Sequence, residues 1–362
     1  MAFVVLGFLA VLVSLEGVLR LLSVSSGLRP PAAIDAWPLR PYDSKQPYTY
    51  SYGWAMLNPH RGATYNYGHI APHDFRAASR PLIVVGDSFV ESLMNEYGDT
   101  VQGILGQRLG ANRPVYGLGV SGLSASDYIA MARRARAEFA PSAAVFVMTD
   151  GDIAESLLPR PGGYHLQPMA GDLALAFTPL SPSAAMQWVR RGVVGDFALY
   201  DYLRGNLKFA PGDFVKGLHA AHPAPPTPQL LAMRDRAAKD AALWFLRELP
   251  GASGVAPECT VLLIDADRYA MYAPRAASPS KDGAELRRLL IERGQALGFH
   301  VVDLGPQFAA EYARTRLKVD HWPVDRHWNQ RGHAVAADAV MAALYSGARS
   351  SACMPGEGSG EK

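Results

Sequence analysis

From Pro81 onward, short continuous apolar runs alternate with stretches of helical spacing. The runs cover residues 82–85, 115–118, 143–148, 260–264 and 300–304. None alternates apolar with polar positions, which is the pattern of strands covered on both faces. Between them Val101, Ile104, Leu105 and Leu109 recur at helical spacing, as do Leu286, Leu289, Leu290 and Leu297. Ser124 or Ser126 can cap a helix running toward Phe139, which Pro141 ends, and residues 331–345 read as a final helix. Strand and helix in turn predict an α/β domain on a parallel sheet.

The pattern breaks in three places. Residues 25–78 are rich in Pro, Tyr, Asn and Gly with little periodicity, and read as an irregular lead-in wrapping the domain. Residues 155–232, rich in Pro and Gly, read as an insertion between the third strand and a helix at about 233–249. Such an insertion lies over strand ends, where substrates bind. The tail 347–362 is small, polar and Gly-rich, and reads as disordered.

The first residues form a different unit. No charge occurs before Glu16, and Glu16 and Arg20 are spaced to pair on one helical face. A membrane-crossing helix needs roughly 20 apolar residues, and residues 1–24 suffice. They are expected to be a transmembrane anchor or an uncleaved signal, since no basic segment precedes the run and no Ala-x-Ala follows it. Pro30 and Pro31 beyond it suggest a stalk.

Composition narrows the chemistry. A net charge of +2 over 362 residues, with no basic run interleaved with aromatics, argues against nucleic-acid binding. Two cysteines exclude a disulfide framework and a Cys-rich metal cluster, and Cys259, opening an apolar run, reads as a buried thiol. No cofactor motif is present: the first strand is followed by no Gly-x-Gly-x-x-Gly, and no Gly-Lys-Ser/Thr phosphate loop occurs.

Two motifs carry reactive groups. In Pro81-Leu-Ile-Val-Val-Gly-Asp-Ser-Phe89 an apolar strand ends at Gly86 and Ser88 follows at the turn. A serine there exposes its oxygen among the unpaired N–H groups of a helix start. Asp87 and Ser88 equally suit a plain helix cap. The second motif is Val324-Asp-Arg-His-Trp-Asn-Gln-Arg-Gly-His333. In extended chain Asp325 and His327 point the same way. Asp325 then orients the imidazole as a base for Ser88. His333 and the Asp320–His321 pair are rivals for the base. A metal site from Asp325, His327 and His333 lacks further ligands.

Together these motifs resemble the SGNH/GDSL hydrolase superfamily, specifically its bacterial members with one N-terminal membrane helix. The segment Gly68-His-Ile-Ala-Pro-His-Asp-Phe-Arg76 is similar to the lead-in those proteins carry, and the resemblance spans roughly residues 60–345. It implies a three-layer α/β/α sandwich with a mainly parallel five-stranded, flavodoxin-like sheet at 79–346. It implies a serine esterase or O-acyl transferase, with Ser88, Asp325 and His327 as the catalytic triad. The substrate is then an ester or acylated glycan, such as acetylated envelope polysaccharide. The location is the bacterial inner membrane, single-pass, with the catalytic domain periplasmic. The Ser88 and Gly119 N–H groups match oxyanion donors, although Gly119 also suits a strand-ending turn. The third donor of the family is an Asn side chain; here Thr149-Asp-Gly-Asp152 puts Gly151, or Asp150 in a shifted register, at its place. Thr149, water or the insertion would have to substitute. Loss of that donor gives the alternative of a catalytically weak glycan-binding or envelope-assembly protein.

Overall fold

The computed structural model of the chain describes residues 1–28, 41–111, 113–149, 151–179, 197–209, 228–272, 281–345 and 353. Five parallel strands form the central sheet: β3 (Leu82–Gly86), β4 (Val115–Gly119), β5 (Ala143–Met148), β8 (Thr260–Ile264) and β9 (His300–Asp303). Their order is β4-β3-β5-β8-β9. They coincide with the five apolar runs, and β3, β4, β5 and β8 are buried along their whole length. Helices cover both faces, which is why these strands show no alternation. On one face α4 (Ala125–Phe139), α7 (Pro228–Ser253) and α9 (Lys281–Ala296) pack side by side. On the other lie α3 (Val101–Leu109), α10 (Leu304–Thr315) and α11 (Gln330–Tyr345). The result is a three-layer α/β/α sandwich.

Sequence signals end the helices where expected. The Ser124 N–H donates to Asp127 Oδ2 at 3.0 Å in a capping box that opens α4. Ala140, in the left-handed region, closes it just before Pro141. The strand order reverses around β3: the chain passes to β4 on one side, then crosses to β5 on the other. Open parallel sheets place their crevice outside the carboxyl ends of the strands at such a reversal. Gly86 closes β3 there, opposite Gly119 of β4.

Two expectations need correction. The lead-in is not wholly irregular: β1 (Pro47–Tyr52) and β2 (Leu57–Ala63) form an antiparallel hairpin. Its pattern is legible in Tyr48-Thr-Tyr-Ser-Tyr52, where aromatics alternate with small polar residues. Nor is Cys259 a free thiol, because it forms a disulfide with Cys353, 94 residues away. Most of the tail expected to be disordered lies outside the described residues, but Cys353 is buried and tied to the foot of β8.

Much of the expected insertion, and the Pro30-Pro31 stalk, also lie outside the described residues. The short helix α5 (Asp152–Glu155) leads into the insertion, whose described part includes the hairpin β6 (Gly163–Met169) and β7 (Asp172–Thr178), and α6 (Ala198–Asp201) with a π-turn through Asn206. At the N-terminus α1 (Ala2–Arg20) is long and apolar enough to cross a membrane, and Leu19 is its one buried residue. Arg20 Nε donates to Glu16 at 2.7 Å, the pairing expected from their spacing.

Candidate active site

At the end of β3 the chain turns directly into the single helical turn α2 (Ser88–Glu91). Gly86 is required there, since a Cβ would meet Val90 Cγ2 at 2.5 Å. Asp87 caps α2 by accepting the Phe89 N–H at 2.9 Å, as the cap reading anticipates. Removal from water, partly offset by that bond, pushes Asp87 up to about 6. Capping and presentation of Ser88 are thus compatible: Asp87 holds the turn, and Ser88 is partly exposed.

Ser88 Oγ lies 2.7 Å from His327 Nε2, and His327 Nδ1 lies 2.5 Å from Asp325 Oδ1. Asp325 Oδ1 also accepts the His327 backbone N–H at 3.0 Å. Burial would raise the Asp325 carboxyl, but its bonds to His327 outweigh this and hold it down at about 2. With the imidazole proton on Nδ1, the Nε2 lone pair faces the serine hydroxyl. Asp325 Oδ2 has a partner that the sequence did not reveal, the Tyr50 hydroxyl of β1, at 3.3 Å. Burial, then the charge of Asp325, raise the Tyr50 phenol above its ordinary value, so it stays a donor.

The loop carrying Asp325 and His327 rests on buried groups. Trp328 is completely buried, and its indole N–H donates to Asp265 Oδ1 at 2.8 Å. Arg268 pairs with Asp265, donates to Asp320 Oδ2 at 2.9 Å and to the Arg326 carbonyl at 2.6 Å. Its guanidinium lies 5.5 Å from the Phe89 ring centroid, and Phe89 in turn packs 4.8 Å from the His327 ring. Asn329 Nδ2 ties the Lys318 and Asp320 carbonyls together, while Asn329 Oδ1 caps the start of α11. Gly332 leaves room for the Val319 carbonyl, which a Cβ would meet at 2.2 Å. Within Asp-x-His-Trp-Asn-x-x-Gly-His, His327 meets Ser88, Asp325 holds His327, and Trp328, Asn329 and Gly332 fix the loop that carries them.

The rival histidines lie elsewhere. His333 is buried, accepts the Val101 N–H on Nδ1 at 3.1 Å and lies 2.9 Å from Ser92 Oγ through Nε2. It caps α3, and burial pushes it down to about 3. His321 lies 3.3 Å from Asn95 Oδ1 through Nε2, while Asp320 is committed to Arg268.

Donors around Ser88 are unevenly supplied. The Ser88 N–H opens α2 and has no acceptor among the described residues. Gly119 lies inside β4, its Cα against α2, where a Cβ would meet the Glu91 N at 2.2 Å. Its lack of a side chain thus serves close packing. Three residues on, Gly122 sits in the turn beyond the strand with φ +77° and is exposed. Its N–H also has no acceptor among the described residues, whereas the Ser121 N–H is taken by buried Glu91. Gly151 opens α5, and Asp150 lies outside the described residues. Thr149 is spent on Asp152, to which its N–H and hydroxyl donate at 2.8 and 2.6 Å. It is not free to replace the Asn.

No protein-family model matches the chain, and no curated protein does. Among solved structures it is similar to LAE5, an α/β hydrolase from the metagenome of Lake Arreo, at 15% identity and TM-score 0.36 over 74% of this chain and 96% of that one. It is similar to a lipolytic G-D-S-L family member from Veillonella parvula at 11% identity and TM-score 0.34, over 72% and 96%. A lipase/acylhydrolase from Enterococcus faecalis gives 13% identity and TM-score 0.36, over 73% and 95%. The first and third carry hydrolase names and the second a lipolytic-family name, and the likeness is one of fold alone.

Proposed function

We propose that this chain is a serine-dependent esterase or O-acyl transferase of the SGNH/GDSL type. The observation that supports it is the unbroken line of contacts Ser88 Oγ–His327 Nε2 and His327 Nδ1–Asp325 Oδ1, at 2.7 and 2.5 Å. Ser88 Oγ attacks the ester carbonyl carbon while its proton passes to His327 Nε2, and Asp325 steadies the imidazolium. The carbonyl oxygen becomes an oxyanion, bound by the Ser88 N–H and by a donor beyond β4. Gly119 is the motif's candidate there, and Gly122, whose N–H has no acceptor among the described residues, is a second. Collapse expels the alcohol, which takes the proton from His327 and leaves an acyl group on Ser88. Water or a sugar hydroxyl, deprotonated by His327, then attacks that acyl group, and Ser88 regains its proton.

In this reading α1 anchors the chain in a bacterial inner membrane with the catalytic domain on the periplasmic side. The Cys259–Cys353 disulfide supports an oxidising compartment. A tethered enzyme facing the envelope fits acetylated polysaccharide as substrate or acceptor.

A second reading, a glycan-binding or assembly protein with little activity, draws on Gly151. Where the motif has a side-chain donor the chain has none, and losing one such donor costs on the order of 10²–10³ in rate. Turnover of p-nitrophenyl acetate decides between them. The esterase reading expects hydrolysis that falls by about 10³-fold or more in Ser88→Ala. Equal rates for the two proteins favour the binder.

A further inference from the structure

The last turn of α1 is not followed by a free tether. The Glu16 carboxylate, one turn before its end, accepts the Ala198 and Leu199 N–H groups at 3.0 and 2.9 Å as well as Arg20. Asn206 Oδ1 accepts the Ser25 N–H at 2.9 Å, and its Nδ2 donates to Ser51 Oγ at 2.8 Å. Ser26 and Thr49 exchange backbone hydrogen bonds at 2.8 and 2.9 Å, and the Tyr202 hydroxyl donates to the Trp54 carbonyl at 2.8 Å. The end of α1, the segment 197–209 and the β1–β2 turn are thereby one block.

Depth follows from the same contacts. A helix rising about 1.5 Å per residue needs the whole of α1 to cross a hydrocarbon core of about 30 Å. Glu16 lies four residues, about 6 Å, short of the end of α1, so the residues bonded to it sit within about one helical turn of the edge of that core. Around them the block leaves large apolar side chains uncovered: Trp54 is 77% exposed, with Phe197, Leu207 and Phe209 also exposed. Arg204 and Lys208 are exposed between them. Aromatic rings and cations at that level are the composition of a membrane interface.

We propose that the segment 197–209 and the β1–β2 turn form a second membrane contact, seated in the headgroup region of the bilayer that α1 crosses. The inference rests on the reading of α1 as a membrane span. Because β1 also carries Tyr50, the contact fixes the height and tilt of the Ser88 site above the lipid, where a loose tether would let it roam.

The test uses the full chain in phospholipid nanodiscs whose lipids are brominated near the top of the acyl chain. The proposal expects bromolipid to quench part of the tryptophan emission, and Trp54→Phe to lose most of that quenched part. Equal quenching in the two proteins overturns it. So does a Trp54 component reached by aqueous iodide and not by bromolipid. A component shielded from both quenchers also overturns it, since another protein surface then covers the block. Alkaline carbonate washing of membranes bearing the full chain separates the underlying reading: release of the chain refutes the span itself. Retention without bromolipid quenching refutes the second contact alone.

Discussion

The Tyr50 hydroxyl stands 3.3 Å from Asp325 Oδ2, across 275 residues of sequence. A strand of the lead-in thereby reaches the carboxylate that orients His327, and Asp325 is held from two sides.

Tyr50→Phe removes that hold without touching Ser88 or His327. A hydrogen bond of this length to a carboxylate is worth about 1 kcal/mol, so kcat should fall roughly 3- to 10-fold with KM little changed. Steady-state kinetics on p-nitrophenyl acetate read the split. A change confined to KM would place Tyr50 in substrate binding.

Trp328→Phe keeps the ring in its buried place and deletes the bond to Asp265. Removing a donor from a buried charged acceptor costs about 1.5–3 kcal/mol. Chemical denaturation should register that loss, and turnover should fall as the loop bearing Asp325 and His327 loosens. Unchanged stability would mean that Arg268 alone holds Asp265.

His333 gives stability a pH dependence of known sign. Unfolded, it takes a proton near its ordinary value of 6.5; folded, near about 3, because it is buried against Trp328 with its nitrogens engaged by Val101 and Ser92, while His321 and His327 add unfavourable charge. Between these values the unfolded chain holds the extra proton, so stability falls as pH drops from 6.5 toward 3. His333→Asn should flatten the melting-temperature profile over that interval relative to the wild type. Parallel profiles would show that other groups set the slope.

The Cys259–Cys353 link closes a loop of 94 residues. Replacing both cysteines by serine should lower stability by roughly 2–4 kcal/mol, and reductant should lower the melting temperature of the wild type alone. A wild type indifferent to reductant would contradict the bond.

How much was legible in the sequence follows from which forces are local. The strands through Val84 and Val145 announce themselves because both their faces are covered, leaving unbroken apolar runs. Asp325 and His327 stand two apart in a short motif whose spacing implies a shared direction, and the structure brings His327 to Ser88. The role of Tyr50 was missed because the Tyr48–Tyr52 alternation marks at most a strand, and nothing in it points to Asp325, 275 residues on. Asp265 and Arg268 were missed for another reason. Nothing local marks a charged pair as buried, because its partners, Asp320 and Trp328, lie more than fifty residues away. Gly119 carries a second demand that its motif does not announce: a Cβ there would meet the Glu91 N at 2.2 Å, so close packing on α2 also calls for a glycine.

In the proposed mechanism Ser88 is a nucleophile activated by His327. Labelling with a fluorophosphonate, followed by mass spectrometry of the adduct, tests it most directly. The expected result is one phosphonylated peptide, bearing the adduct on Ser88, with labelling abolished in Ser88→Ala and strongly slowed in His327→Ala. An unlabelled wild type, or labelling that persists in Ser88→Ala, would contradict it.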